Sequence, residues 1–346
     1  MTTFADTVFQ LGGMPILNGV PAPFTGKWWW VNPASGSDDN SGTKPTDALG
    51  SLYGALNHAV AGRNDVIALM SDGTTATTAR LSLANAQLTD PTATAGTLVW
   101  NKNATHLVGV CSPVSYFQRA RIAPPTGTYT AATFGSPNFV TVTASGCYFY
   151  NFSVFAAFST GSTTGIAWTD TGSRNAYVNC HLMGLADAAS AGAAGARTLK
   201  IGASGSGELD FYRCTIGTDT VTRTAANSTL EFAGGTPRNR FTECVFPFAG
   251  TGSASGMFGI LGTGNDCVDR HQIFDRCLFV NNIKSGGFST MTALGSFTTN
   301  APGGLVVFKD CDTVGITKIG DTNFLANSYV SNVGGASTGG LDVNPS

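Results

Sequence analysis

Phe274-Asp275-Arg276-Cys277-Leu278-Phe279 is one copy of a phrase, aromatic-x-x-Cys, that occurs five times in the 346 residues of the chain. The other copies run from Tyr177 to Cys180, Phe211 to Cys214, Phe241 to Cys244 and Phe308 to Cys311. The cysteines are spaced by 34, 30, 33 and 34 residues, and a near-constant period of that size marks a stacked architecture. Phe149-Tyr150-Asn151-Phe152-Ser153-Val154 is an earlier copy with Phe152 in the cysteine place, so the ladder reads as about six steps.

In a straight strand, residues three apart point to opposite faces. Yet the aromatic and the cysteine are both of the buried kind, and Leu182, Ile216, Phe246 and Phe279 follow two places after the first four cysteines. The chain must therefore bend between them. The residue before each cysteine position, Asn151, Asn179, Arg213, Glu243, Arg276 or Asp310, is the expected left-handed corner. Asn and Asp tolerate that conformation best, while Arg and Glu fit it less well.

A second strand-like segment precedes each phrase: Phe139 to Val142, Gly165 to Trp168, Thr198 to Ile201, Thr229 to Phe232 and Phe258 to Leu261. Each step then reads strand, turn, strand, bend, strand, joined by Gly-, Ser- and Thr-rich connectors. Helical periodicity is nearly absent after residue 63, which argues against helical repeats of similar period. The expected class is all-β, a parallel β-helix with like side chains stacked in register. Its interior row is Tyr177, Cys180, Phe211, Cys214, Phe241, Cys244, Phe274, Cys277, Phe308 and Cys311.

Charged residues make up only 12%, about half the usual share of roughly 25%. Net charge is −2, which gives no electrostatic case for binding nucleic acid or an anionic membrane. Five of the eight cysteines follow the repeat and are expected as packed free thiols. No Cys-x-x-Cys pair occurs and the four histidines are scattered, so no metal or other cofactor is expected. Cys267, in the polar run Gly264-Asn265-Asp266-Cys267, is the thiol expected to be exposed.

Residues 27–73 read as strand, loop, helix, strand: Lys27 to Pro33, a polar loop to Thr43, Ala48 to Ala61, then Asp65 to Met70. Leu49, Leu52, Tyr53, Leu56 and Val60 recur at helical spacing, with Asp47 as expected N-cap and Gly62 as expected C-cap. Such a helix would cover the open first coil. Consecutive Trp28, Trp29 and Trp30 must alternate in direction, which suggests packing beneath the helix or against another subunit. Asp38-Asp39-Asn40 reads as a polar turn, since the later ligands of a calcium loop do not follow.

The order Val31-Asn32, Gly36-Ser37-Asp38, Gly42-Thr43, a capping helix and then Asn64-Asp65-Val66-Ile67-Ala68-Leu69 resembles the start of right-handed β-helix proteins of the pectate-lyase-like superfamily. The earlier segment from Phe4 to Ile16 is similar to the opening of bacteriophage-encoded β-helix proteins found among virion genes. The resemblance implies a virion protein assembled in a host cytoplasm, and trimers are its usual association.

The expected organisation is an extended arm over 1–26, the cap over 27–73, coils over 74–320 and a tail over 321–346. In the arm, Phe4, Val8, Phe9, Leu11, Met14, Ile16 and Leu17 have no place in a coil and are expected to bind a partner, the major capsid protein or another virion protein. The expected role is a non-enzymatic capsid decoration or cement protein.

The alternative is a tail-associated receptor-binding or polysaccharide-degrading protein that meets host glycan. Its first candidate residues are Asp266, Asp269 and His271. Glu208 and Asp210 precede Arg238 and Arg240 near the matching place of the next step, and Asp269 and His271 in the one after; that alternation reads as a surface ion-pair ladder. No catalytic residue is expected on the main reading.

Overall fold

A computed structural model describes residues 10–11, 14–17, 20–21, 24–71, 80–81, 97–123, 138–156, 165–185, 193–202, 206–223, 227–250, 257–282, 291–299 and 301–331. Three parallel sheets run the length of the chain. Sheet 1 has eight strands, from Leu98–Trp100 to Ile316–Gly320. Sheet 2 has 11, from Trp28–Val31 to Ser328–Ser331, with Thr236–Pro237 attached beside Val268–Asp275. Sheet 3 has eight, from Arg80–Leu81 to Asp312–Val314. The chain visits sheets 1, 2 and 3 in turn and each visit pairs with the previous one, which makes a right-handed parallel β-helix.

The corner between sheets 2 and 3 explains the phrase. Asn151, Asn179, Arg213, Glu243, Arg276 and Asp310 all have left-handed backbone, with φ between 51° and 57°. Each bend turns the following residue inward beside the preceding aromatic. Phe149, Tyr177, Phe211, Phe241, Phe274 and Phe308 then stack with ring centroids 4.5 to 5.2 Å apart and planes within 14° of parallel. The inter-strand spacing imposes that distance, and each such pair adds roughly 0.5–1.5 kcal/mol beyond its area burial.

The cysteines form a second column. The Sγ of Cys180, Cys214, Cys244, Cys277 and Cys311 lies 3.3 to 3.4 Å from the carbonyl oxygen of the aromatic residue one rung earlier. A thiol is small enough for the corner, packs as an apolar group and still donates weakly to that carbonyl. Burial disfavours the thiolate here and pushes Cys180 and Cys244 well above the ordinary thiol range.

The stack is longer than the six steps of the phrase. Trp29, Ile67 and Leu107 occupy the aromatic place in three earlier rungs of sheet 2, and Val330 occupies it in a later one. The strands Trp28–Val31 and Asp65–Met70 are thus themselves rungs of the solenoid.

The N-terminal helix is shorter than its periodicity suggests. Helix α1 spans Leu52–His58 and is capped by Ser51, whose side chain accepts from the Gly54 amide. Leu49 is diverted into a bridge with Val31. The Asp38 carboxylate accepts from the amides of Gly50 and Ser51 and from the Ser51 hydroxyl, which fixes the helix start. Asp47 instead ends a short 3-10 turn over Pro45–Asp47. At the other end α1 stops at Ala59, before the expected Gly62, and Val60 is exposed.

Two further expectations are corrected. Within the arm, Gln10–Leu11 pairs antiparallel with Met14–Leu17, which pairs with Val20–Pro21, so this part is a three-stranded meander rather than an extended chain. Phe4, Val8 and Phe9 lie outside the described residues. The start of the tail is also regular: helix α2 spans Thr322–Ala326, capped by Asp321, and Ser328–Ser331 adds a last rung to sheet 2. The buried Phe324 packs on Phe297 and Phe308 and closes this end of the core.

Candidate functional site

The outer face of sheet 2 is bordered by two charged corners. At the corner with sheet 3, the left-handed residues Arg213, Glu243 and Arg276 occupy successive rungs. Glu243 accepts from Arg213 at 2.7 Å and from Arg276 at 3.2 Å, and these bonds, Arg213 foremost, lower its pKa. At the corner with sheet 1, Arg174, Glu208 and Arg238 repeat the pattern. Glu208 pairs with Arg174 at 2.8 Å and with Arg238, and it is lowered in turn, chiefly by Arg238.

Between the corners, the outward positions of sheet 2 align in two rows. One row runs Ala176, Asp210, Arg240, Ile273 and Val307; the other runs Val178, Tyr212, Thr242, Asp275 and Lys309. The Asp275 side chain is nearly buried beneath three cations, Arg240 at 3.1 Å, Arg276 at 3.0 Å and Lys309 at 3.6 Å. Arg213 lies 5.0 Å from the centroid of the Tyr212 ring. The cations reach further into solvent than their partners: Arg240 is 52% exposed where Asp275 is 4%.

Asp210 is exposed as a residue. Desolvation of its carboxyl by its surroundings nevertheless raises its pKa, against the pull of Arg240 on the next rung.

The other candidates separate. Asp266 is a left-handed turn residue whose amide donates to the Ala301 carbonyl. Asp269 and His271 lie in the strand Val268–Asp275, where Asp269 pairs only loosely with Arg270 at 3.7 Å. Asp38 caps α1. Trp29 is buried, stacks on His58 of α1 at 5.1 Å and donates to Asp65, while Trp28 and Trp30 take the outer face.

Cys267, expected to be exposed, is fully buried. Gly262 leaves room for its sulfur, and burial raises the thiol to about 11.

Two buried polar centres escape the sequence reading. Asp65 accepts from the Lys27 and Val60 amides, from Trp29 and from Arg63. Burial opposes its charge, but these donors, led by Arg63, hold the carboxyl well below the usual range. Asp170, inside the coil, accepts from Tyr177, Asn175 and the Gly172 amide, and Tyr177 accepts from Trp168. Here burial outweighs the bonds and raises the carboxyl to about 6. Each acid ends or begins an ordinary strand pattern, so nothing local in the sequence marks it.

No family model matches the chain, and no curated protein matches it. Among solved structures, it is similar to a pectin methylesterase mutant in complex with a hexasaccharide, at 15% identity and a TM-score of 0.50. That match covers 84% of this chain and 80% of the other. A pectin methylesterase from Aspergillus niger follows at 13% identity and a TM-score of 0.42, over 90% of this chain and 91% of that one. A rhamnogalacturonan lyase has 14% identity and a TM-score of 0.42, over 88% and 87%.

The first likeness shows the parallel β-helix fold. A pectin methylesterase has the same fold, so the expectation of a non-enzymatic chain is withdrawn: the fold gives no ground for it.

Proposed function

We propose that the chain binds and processes an acidic polysaccharide laid along the outer face of sheet 2, which corresponds to the tail-associated of the two virion readings. The observation that carries this is the arrangement of charge on that face. Arg213, Arg240, Arg276 and Lys309 extend outward around carboxylates that sit deeper, so an approaching polymer meets cations first. Guanidinium groups pair planar carboxylates through two parallel bonds, the geometry a uronate offers.

The rungs supply repetition. Side chains recur at roughly 4.8 Å along the axis, so one ligand can meet Tyr212, Arg240 and Arg276 on successive rungs. Tyr212 offers an aromatic face for a sugar ring. Asp210, with its raised pKa, is the carboxyl placed to transfer a proton, and Arg240 beside it can hold an acid group of the ligand or a developing negative charge.

The test is retention on, and product release from, a panel of acidic and neutral glycans, using the intact chain and the Arg240→Gln and Asp210→Asn variants. Arg240→Gln is expected to weaken binding to acidic glycans about tenfold, equivalent to about 1.4 kcal/mol. Asp210→Asn is expected to abolish product release and spare binding. Equal behaviour of all three proteins, or retention of neutral glycans only, would sink the proposal.

A further inference from the structure

The first rungs of sheet 2 carry an apolar strip on their outer face. Val66, Val108, Tyr148 and Val178 form one buried cluster there with Phe24, and Trp28, Tyr150, Ala176 and Tyr212 pack at its margin. Side chains on the outer face of a sheet meet water unless another layer lies on them. Yet Val108 is 9%, Tyr148 6% and Val178 6% exposed. Further along the same sheet the outward residues Leu305 and Tyr329 are 38% and 47% exposed. The Tyr148 hydroxyl is buried and has no hydrogen-bond partner among the described residues, so the strip is sealed from solvent.

Phe24 shows from which direction the cover comes. Its ring meets Trp28 at 5.7 Å, His106 at 5.6 Å and Tyr148 at 5.7 Å, side chains on three different rungs. The chain that leads into the first strand therefore crosses the rungs instead of following one. Immediately before Phe24 lies the meander of Gln10–Leu11, Met14–Leu17 and Val20–Pro21. Its longest strand, of four residues, spans roughly 13 Å at roughly 3.3 Å per residue, enough to cross about three rungs at roughly 4.8 Å each.

We propose that the apolar strip of sheet 2 is the docking site of this chain's own N-terminal segment, residues 1–23, held across the first rungs as an intramolecular strap. The margin of the strip reaches Tyr212, on the rung of Asp210, and Arg240 stands on the next rung. The inference does not depend on the identity of any glycan.

Hydrogen exchange of the full-length chain tests it, read on peptides covering Gln10–Leu17 and, as control, Phe211–Phe241. Val178→Arg puts a charge into the strip without entering the core, and Phe24→Ser removes the covering ring without altering any rung. The wild-type meander is expected to be protected at every protein concentration. Either variant is expected to speed its exchange at least tenfold while the control peptides stay unchanged. Unchanged meander protection in Phe24→Ser and in a folded Val178→Arg would overturn the proposal, and so would protection that disappears on dilution, because the occupant would then be a second copy.

Discussion

Asp170 and His181 are both buried, and they respond to pH in opposite directions. The Asp170 carboxyl is raised to about 6 by burial, against the bonds from Tyr177, Asn175 and Gly172. Between the unfolded and folded values the native state binds the extra proton, so its contribution to stability falls as pH rises from about 4 to about 6. His181 is lowered to about 4, first by burial and also by Arg121, while its ring accepts from the Phe117 amide and packs against Tyr116 and Phe117. Here the unfolded state binds the extra proton, so stability is lost as pH falls from about 6.5 towards 4. Each effect reaches about 3 kcal/mol, and the two nearly cancel in the intact chain. Asp170→Asn is expected to leave a protein whose denaturant midpoint rises with pH across this window, and His181→Gln one whose midpoint falls. Parallel slopes in the two variants would contradict the assignment. The ring column gives a simpler expectation: Phe241→Ala, in the middle of the stack, should cost about 3–5 kcal/mol in chemical denaturation.

At the scale of the element, the corner between sheets 2 and 3 carries the fold, and its side chains vary in how well they suit it. Asn179 has a left-handed backbone and donates through Nδ2 to the Asn151 side chain one rung earlier. A β-branched residue there meets the left-handed penalty of roughly 1–2 kcal/mol per residue, so Asn179→Val should destabilise by at least about that much. Glu243 occupies the same backbone with two exposed ion pairs in place of the amide ladder. Exposed pairs are worth at most about 1 kcal/mol, so Glu243→Asn, which gains a better corner residue and loses the pairs, should change stability by less than about 0.5 kcal/mol. Thermal melts of the two variants check both. These corners were legible in the sequence because their demand is local: an aromatic and a cysteine three apart cannot both face inward without a bend. The rungs of Trp29, Ile67 and Leu107 were not, since Ile67 and Leu107 replace the aromatic and none of the three is followed by the cysteine. Nor was the start of α1, where Asp38, distant in sequence, overrides a periodicity that begins at Leu49. The ion-pair alternation of Glu208 and Arg238 was visible as a pattern. The burial of Asp275 beneath Arg240, Arg276 and Lys309 required knowing which rungs adjoin.

Across the whole molecule, each rung contacts only its neighbours, so the two ends decide where unfolding starts. At the N-terminal end α1 covers the first rungs and is tied down by the Asp65 hub and by Lys102, whose ammonium donates to the carbonyl of Ala59. At the C-terminal end the cover is smaller: α2 has five residues and contributes one buried side chain, Phe324. Its ring lies against Gly295 and Gly320, where a β-carbon would collide with it, so neighbouring sheet 1 strands are shaped to receive it. Phe324→Asp leaves the helix cap at Asp321 intact but places a charge on the ends of the Phe297 and Phe308 columns. In a globular core such a change lowers stability everywhere; in a stack of rungs the loss is felt first at the end that is opened. Hydrogen exchange should therefore accelerate in Ser328–Ser331 and Gly304–Lys309, less in Val268–Asp275, and not measurably in Tyr148–Tyr150. A uniform acceleration along the chain would mean that the solenoid unfolds as one cooperative unit, and that α2 supports the entire stack rather than its last rungs.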